Sequence, residues 1–517
     1  MLYSPLRDGP KSLLPETSHE ASLGDPWYKT KWALTLLSMV SYELSEAAQS
    51  LIPGGSGRHP LESDKLLSQI EIYPQKKVDD SYAYEFLKHK GLVEVSYSVH
   101  YIGNKNLIKT YCDENGVFFI HYVIQPDTLS VDAYKDKYYS NIKISVRVTD
   151  LRGKTVFQFN KFYPIELTKK EIKSAKLRPM NIEDSFPLIP GNYKFNLLFE
   201  NLVSKEFTSF EREITVPEPF DTPQMSPLLL AYKIIEDQEP LRRAFKVENI
   251  RIYPSIDSRF HRKESLCVYF QLYNIEKLIE QGKIKYTIYR GKEKVYARAK
   301  GIKDYHNQQN FIEEFSLLGF KSGKYTLKVS ILDEDKKEIL SEREDFIITE
   351  KPFPRAWIYS KKSPPSGDAV YSYILGTQLF NRGKIEKAYY KLKEAYERNP
   401  ESLDFALGYS QVLFMKKEYK RIKEILTPFL EREIKNYRIY TILGRALQEL
   451  GEYEKAISHY QKFISHEGAN YQILNSIGEC YYALGNIEEA LRAWKKSLEI
   501  NPSQEEIQKK IKELKKD

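Results

Sequence analysis

In the last third of the chain, apolar and small residues recur with a period of 34. Gly376, Ser410, Gly444 and Gly478 stand one period apart, each preceded by a large apolar residue (Leu375, Tyr409, Leu443, Ile477). A second large residue follows three positions later (Leu379, Leu413, Leu447, Tyr481). Twelve positions past the small residue comes Ala388, Ile422, Ala456 or Ala490, and four further on Leu392, Leu426, Tyr460 or Trp494. The spacing predicts two antiparallel helices per period, with the small residues where the helices cross. In the first period it predicts a helix from Val370 to Asn381, a turn at Arg382-Gly383 and a helix from about Ile385 to Arg398. Asn399-Pro400 and Asn501-Pro502 end their helices because proline cannot continue one. Gly383, Gly451 and Gly485 mark the turns, where a left-handed backbone costs glycine little. The second period departs from the others: Pro428 falls inside its second helix, predicting a kink or an early end. Ser503 and Glu506 form a capping-box pattern ahead of Ile507, Ile511 and Leu514, which predicts a closing helix with one apolar face.

This pattern resembles the tetratricopeptide repeat. The units are 369–402, 403–436, 437–470 and 471–502, with a capping helix over 503–517, so residues 368–517 are expected to form an α-helical solenoid. A solenoid presents a surface, and the resemblance implies binding of a protein or peptide partner. Counting along the first helix of each unit, the expected groove positions are Tyr373, Thr377 and Phe380, then Leu407, Gln411 and Phe414. Thr441, Arg445 and Gln448, then Asn475, Glu479 and Tyr482, complete it. Only Arg445 and Asn475 resemble the lysine, asparagine and arginine set with which the family grips a terminal carboxylate. An aromatic-and-amide groove fits an extended or helical peptide, or another domain of this chain, better. Packing of Tyr373, Phe380 and Phe414 between neighbouring helices is the alternative.

Ahead of the repeats the periodicity switches to two. Val93, Val95, Tyr97, Val99 and Tyr101 alternate with polar residues as in a half-buried strand. Further strands are expected at Val117–Ile124, Asn141–Thr149, Val156–Phe159, Tyr193–Glu200 and Glu206–Val216, with a hairpin turn at Asp150-Leu-Arg-Gly153. A second set lies at Val247–Tyr253, Leu266–Tyr273, Ile284–Arg290, Tyr325–Asp333 and Arg343–Ile348. Pro190-Gly-Asn-Tyr193 in the first set parallels Ser322-Gly-Lys-Tyr325 in the second. The expected fold is multidomain: tandem antiparallel immunoglobulin-like β-sandwiches at 91–217 and 241–350, then the solenoid. Proline-rich linkers are expected at 218–240 and 351–367. Residues 1–90 read as a mixed region, with a helix near 30–51, a Gly-Gly-Ser-Gly loop at 54–57 and a helix near 80–90.

Composition narrows the chemistry. At 517 residues several cores are expected, and 39 tyrosines favour β-structure. The net charge of +8 is mild, and no basic block interleaved with aromatics is expected to bind nucleic acid. Cys112, Cys267 and Cys480 are odd in number and far apart, which suits buried apolar positions and no disulfide framework. The nine histidines lack ligand spacing, although His100 and His121 lie on expected strands. Asp113-Glu-Asn-Gly116 and Asp333-Glu-Asp335 read as solvated turns. No catalytic, cofactor or metal residues are expected, and the chain is read as non-enzymatic. The apolar run Trp32–Val40 is too short to span a membrane and too far from Met1 for a signal sequence.

With Asp150-Leu-Arg-Gly-Lys-Thr-Val-Phe157, Phe186-Pro-Leu-Ile-Pro-Gly-Asn-Tyr193 and Ile214-Thr-Val-Pro217 ahead of the repeats, the chain resembles bacterial GWxTD-domain proteins. The motif itself is missing, since none of Trp27, Trp32, Trp357 and Trp494 follows glycine. The resemblance implies export or a periplasmic location and supplies no site residues. A protein-interaction scaffold is the expected function, with the sandwiches as spacers or a second docking surface. A carbohydrate- or envelope-binding module, or part of a larger exported protein, is the alternative.

Overall fold

The computed structural model describes residues 100–134, 137–175, 178–218, 222–307, 309–431 and 436–514. The helices expected near 30–51 and 80–90, the 54–57 loop, and all but the end of the strand expected from Val93 lie outside the described residues. Two compact units emerge. Among the described residues, one holds 100–113, 118–186 and 190–363; the other holds 114–117, 187–189 and 364–514.

The first unit is built of β-sheets. Lys137–Asp150 pairs with Thr155–Thr168 on one side and Gly191–Asn201 on the other, and Gly191–Asn201 pairs onward with Glu206–Val216. The Asp150–Gly153 turn is as expected, with Gly153 at φ +83°. A second sheet runs Asn104–Cys112, Phe118–Pro126, Met180–Pro187, Trp357–Ser360. Towards the C-terminal side, Leu229–Glu236, Ile250–Pro254, Ser265–Tyr273 and Asn310–Ser316 form one sheet. Arg259–His261, Glu338–Thr349, Gly323–Leu332, Lys283–Arg290 and Glu293–Gly301 form another. Alternate residues of these last two sheets, among them Leu230, Val268 and Phe270 with Tyr286, Leu327 and Phe346, bury into one core.

Several expectations change. The sheets are not purely antiparallel: His100–Tyr101, Arg259–His261 and Trp357–Ser360 each pair parallel to a neighbour. Neither expected linker is one. Leu229–Glu236, inside 218–240, is a sheet strand, because Leu228 and Leu230 bury on one face and Leu229 and Ala231 on the other. Within 351–367, Trp357–Ser360 adds to Met180–Pro187, and the guanidinium of Arg355 donates to both carboxylate oxygens of Glu264 (2.6 and 3.0 Å) and stacks 4.2 Å from the Tyr232 ring. The strand expected over Val247–Tyr253 breaks at Glu248, which adopts φ +51°.

Nor are the two sets of strands independent. Tyr111 and Val123 share a core with Leu229, Phe245, Ile252, Cys267 and Tyr269. Glu183 and Arg251 form an ion pair that is almost wholly excluded from solvent. Gln271 joins the strands by donating to the Cys112 carbonyl and accepting from its N–H, both at 2.7 Å.

The second unit is helical. After a short helix of the β-unit, α1 (Lys169–Ala175), the described helices are α2 (Ala369–Asn381), α3 (Ile385–Arg398), α4 (Leu403–Met415) and α5 (Tyr419–Leu426). There follow α6 (Arg438–Glu449), α7 (Tyr453–Glu467), α8 (Tyr471–Ala483), α9 (Ile487–Ile500) and α10 (Glu505–Glu513). Pro428 acts as expected: α5 stops at Leu426 and continues only as a 3-10 turn, Thr427–Glu431. The glycines sit at real crossings. A Cβ on Gly376 would lie 2.6 Å from Leu392, on Gly444 2.7 Å from Tyr460, and on Gly478 2.3 Å from Trp494. Gly383, Gly451 and Gly485 turn with φ between +74° and +77°, and at the matching place in the second unit Lys417 is forced to φ +61°. At the C-terminal end, Ile507 and Ile511 cover Ala490 and Trp494. The expected capping box does not form. Gln504 precedes α10 and spends its amide on the carbonyls of Ser497 and Asn501 instead.

One residue of this unit escaped the sequence pattern. Two positions after the crossing residue, the later repeats carry Val412, Ala446 and Cys480, whereas the first carries Gln378, and all four are buried. Gln378 Nε2 donates to the Pro187 carbonyl (2.7 Å) and its Oε1 accepts from Ile189 N–H (2.9 Å). Where a preceding helix would have offered apolar side chains, the unit here contains bare backbone, which a carboxamide can satisfy and a valine cannot.

Candidate partner groove

The first helix of each repeat (α2, α4, α6, α8) supplies the expected groove positions, and the helices bring them to four consecutive turns of the stack. Their side chains differ in how free they are. Leu407 is a correction: it is buried within the helical core and offers nothing to a partner. It belongs to a core cluster drawn from several helices, which spacing along one helix does not reveal. Tyr373 lies against Phe405 (ring centroids 5.0 Å), and a Cβ on Gly408 would meet its ring at 2.6 Å. Burial, and then the charge of Asp404, push its phenol above the ordinary tyrosine range. Thr377 donates its hydroxyl to the Tyr373 carbonyl (2.9 Å), and Phe380 packs on the helical core.

Two more positions are taken at the C-terminal end. Asn475 Nδ2 donates to Gln504 Oε1 (2.7 Å), and Glu479 pairs with Lys510 of α10. The closing helix thus engages the groove positions of the fourth repeat, a use of polar residues that the period could not foretell.

The middle remains. Arg445 of α6 lies with its guanidinium 4.4 Å from the Phe414 ring, and Phe414 in turn rests on Tyr419 (5.2 Å). Stacking fixes the guanidinium plane while leaving its N–H groups free, and among the described residues Arg445 forms no salt bridge. Gln448 accepts from the Tyr460 hydroxyl (2.8 Å) through Oε1, so its amide NH₂ is unspent. Gln411 of α4 is half-buried, with no hydrogen bond from its side chain among the described residues. Thr441 turns its hydroxyl to the Arg438 carbonyl (2.9 Å), and Tyr482 is 48% exposed beside Trp494. Ion pairs one repeat apart, Glu386–Lys416 and Lys423–Glu452, tie neighbouring repeats together; Glu386 raises the Lys416 ammonium and Lys423 lowers the Glu452 carboxyl.

Elsewhere, no group of three potential metal-ligating side chains occurs among the described residues. His121 is buried and accepts Phe245 N–H on Nδ1 (2.8 Å), while His100 is exposed. The three cysteines are buried and none is in a disulfide; burial pushes the Cys267 and Cys480 thiols up to about 12. No described helix is long and apolar enough to cross a membrane.

Comparison with known proteins bears on the helical unit. Among curated proteins none matches this chain. Solved structures similar to it include MamA AMB-1, at 22% identity over 26% of this chain and 79% of that one, with a TM-score of 0.25. A crystal structure of MamA shares 25% identity over 26% and 79% (TM-score 0.25), and MamA 41-end from Desulfovibrio magneticus RS-1 shares 22% over 27% and 78% (0.25). Family models described as tetratricopeptide repeat match residues 437–466 and 471–504. The C-terminal part of the chain therefore carries tetratricopeptide repeats, which support a role in binding other proteins.

Proposed function

We propose that the chain is a non-enzymatic scaffold whose repeats hold a protein or peptide partner across α4 and α6. The observation that carries this is the stacked, unpaired Arg445 flanked by the unspent amides of Gln411 and Gln448. Together they present N–H donors on adjacent repeats, and an extended peptide backbone presents carbonyls at regular intervals. Phe414 forms the floor, and Tyr482 extends the surface towards α8. Leu407, Asn475 and Glu479, being engaged within the protein, have no part in it, and Tyr373, Thr377 and Phe380 contribute shape rather than free contacts. The β-rich unit is proposed to consist of immunoglobulin-like sheet pairs of the kind in GWxTD-domain proteins, acting as a rigid platform.

The test compares proteins co-purifying with the full chain and with a Gln411→Ala, Arg445→Ala, Gln448→Ala variant of matched melting temperature. The expected result is selective loss, by tenfold or more, of at least one partner. Identical recovery from both would overturn the groove assignment.

A further inference from the structure

The net charge of +8 is not evenly spread. Residues 283–303 hold eight lysines and arginines and one acid, Glu293, a net of +7 (8 − 1). They form the hairpin of Lys283–Arg290 and the edge strand Glu293–Gly301. The near-neutral remainder hides this basic, tyrosine-containing block in the overall balance. Its tyrosines are not a stacking platform, however. Tyr286 is buried and Tyr296 packs on Phe315 and Phe320 (5.7 and 6.5 Å), which leaves only the half-buried Tyr289. Lysines on an edge strand discourage pairing with other sheets, which accounts for the strand but not for its turn.

At the turn a second feature appears. Arg290 Nη2 donates to the Ser322 carbonyl (3.3 Å), which sets the turn beside the loop 317–323. That loop buries Leu317 and thrusts out Leu318, 62% exposed. Arg290, Lys292, Lys294, Lys321 and Lys324 lie on this turn, this loop and the start of the strand that follows it, and among the described residues none of the five forms a salt bridge. The acids at this end include Glu293, Glu350, 3.4 Å from the Ser322 hydroxyl, and Asp345, which accepts from the Thr326 hydroxyl (2.6 Å) in the cross-strand row that also holds Lys294. An exposed leucine is unfavourable in water, and clustered cations repel one another. A surface that is anionic outside and apolar beneath relieves both.

We propose that this end of the β-unit docks on an anionic lipid bilayer, with Leu318 entering the headgroup boundary and the five cations meeting lipid phosphates. A polynucleotide would neutralise the cations but leave Leu318 without a partner, and of the three tyrosines only the half-buried Tyr289 could offer a ring to a base.

Flotation of the full chain with vesicles tests this, using phosphatidylcholine alone or with about 30% phosphatidylserine to supply the negative surface. Binding is expected only to the anionic vesicles, weakening as salt is added. K292A/K294A/K321A is expected to lose tenfold or more, and L318S about fivefold, both with unchanged melting curves since the altered side chains face solvent. Absence of binding by the native chain at low salt, or affinity unchanged in either variant, would overturn the proposal. So would binding to an oligonucleotide or heparin without binding to anionic vesicles.

Discussion

From one repeat to the next, partners lie much closer along the chain than they do within the β-unit. In the helices, Glu386–Lys416, Lys423–Glu452 and Glu479–Lys510 join residues 30, 29 and 31 apart, each close to one repeat. In the β-unit, Glu183 meets Arg251 across 68 residues, Glu264 meets Arg355 across 91 and Cys112 meets Gln271 across 159. A solenoid is therefore held by neighbours, repeat upon repeat, whereas the β-unit is closed by pairings that exist only once the whole of it has assembled. Removing one contact should be a local event in the first and a general one in the second.

The largest effect is expected from Arg251→Ala, which leaves the Glu183 carboxylate buried without a counter-charge. A loss of about 3–5 kcal/mol is expected in urea unfolding of the full chain. Glu183→Leu with Arg251→Met should recover most of it, because the buried charge is gone; a double variant as unstable as the single would contradict this account. A transition of the helical unit unaltered by Arg251→Ala would sharpen the contrast.

A medium effect should come from acid. Burial, then the charges of Arg242 and Arg251, hold the His121 imidazole well below its ordinary 6.5. Its neutral Nδ1 accepts the N–H of Phe245, a residue at φ +54°. Because the folded protein resists the proton and the unfolded chain takes it up, the stability from this residue is complete above about pH 6.5. It is lost as pH falls from there towards the folded value, by at most about 1.4 kcal/mol per pH unit. Unfolding curves at pH 7.5 and 5.5 should differ for the native chain, and the part due to His121 should vanish in His121→Phe. An unchanged difference in that variant would assign the effect elsewhere.

The smallest effect belongs to the solenoid. Lys417 stands in a left-handed turn where three other repeats have glycine, so Lys417→Gly should stabilise the helical unit by about 0.5–1 kcal/mol, read as a rise in its melting temperature. A fall would mean that the lysine side chain contributes more than its backbone costs.

What could be read in advance follows this same division. Helix ends, the turn glycines, the early stop before Pro428 and the closing helix all rest on residues one or two turns apart, so they were visible as periodicity. The groove was only half visible. Position along a helix indicates which way a residue faces, but not that Leu407 would be buried in the core shared by several helices or that Gln504 and Lys510 would return to Asn475 and Glu479. Gln378 had a signal that was overlooked, a polar residue in a column otherwise filled by Val412, Ala446 and Cys480. Prolines misled in the β-unit: they masked the Leu228–Ala231 run as a linker, though its residues bury on both faces.

By itself, the amino-acid sequence determined the helical repeats, since 34-residue periodicity and small crossing residues are local instructions that each helix pair obeys alone. Tertiary structure decided the rest: which strands from distant segments share a sheet, which groove residues remain free, and which loop stands beside the basic turn. Those outcomes depend on burial and hydrogen-bond satisfaction among groups far apart in the chain, and no window of neighbouring residues contains them.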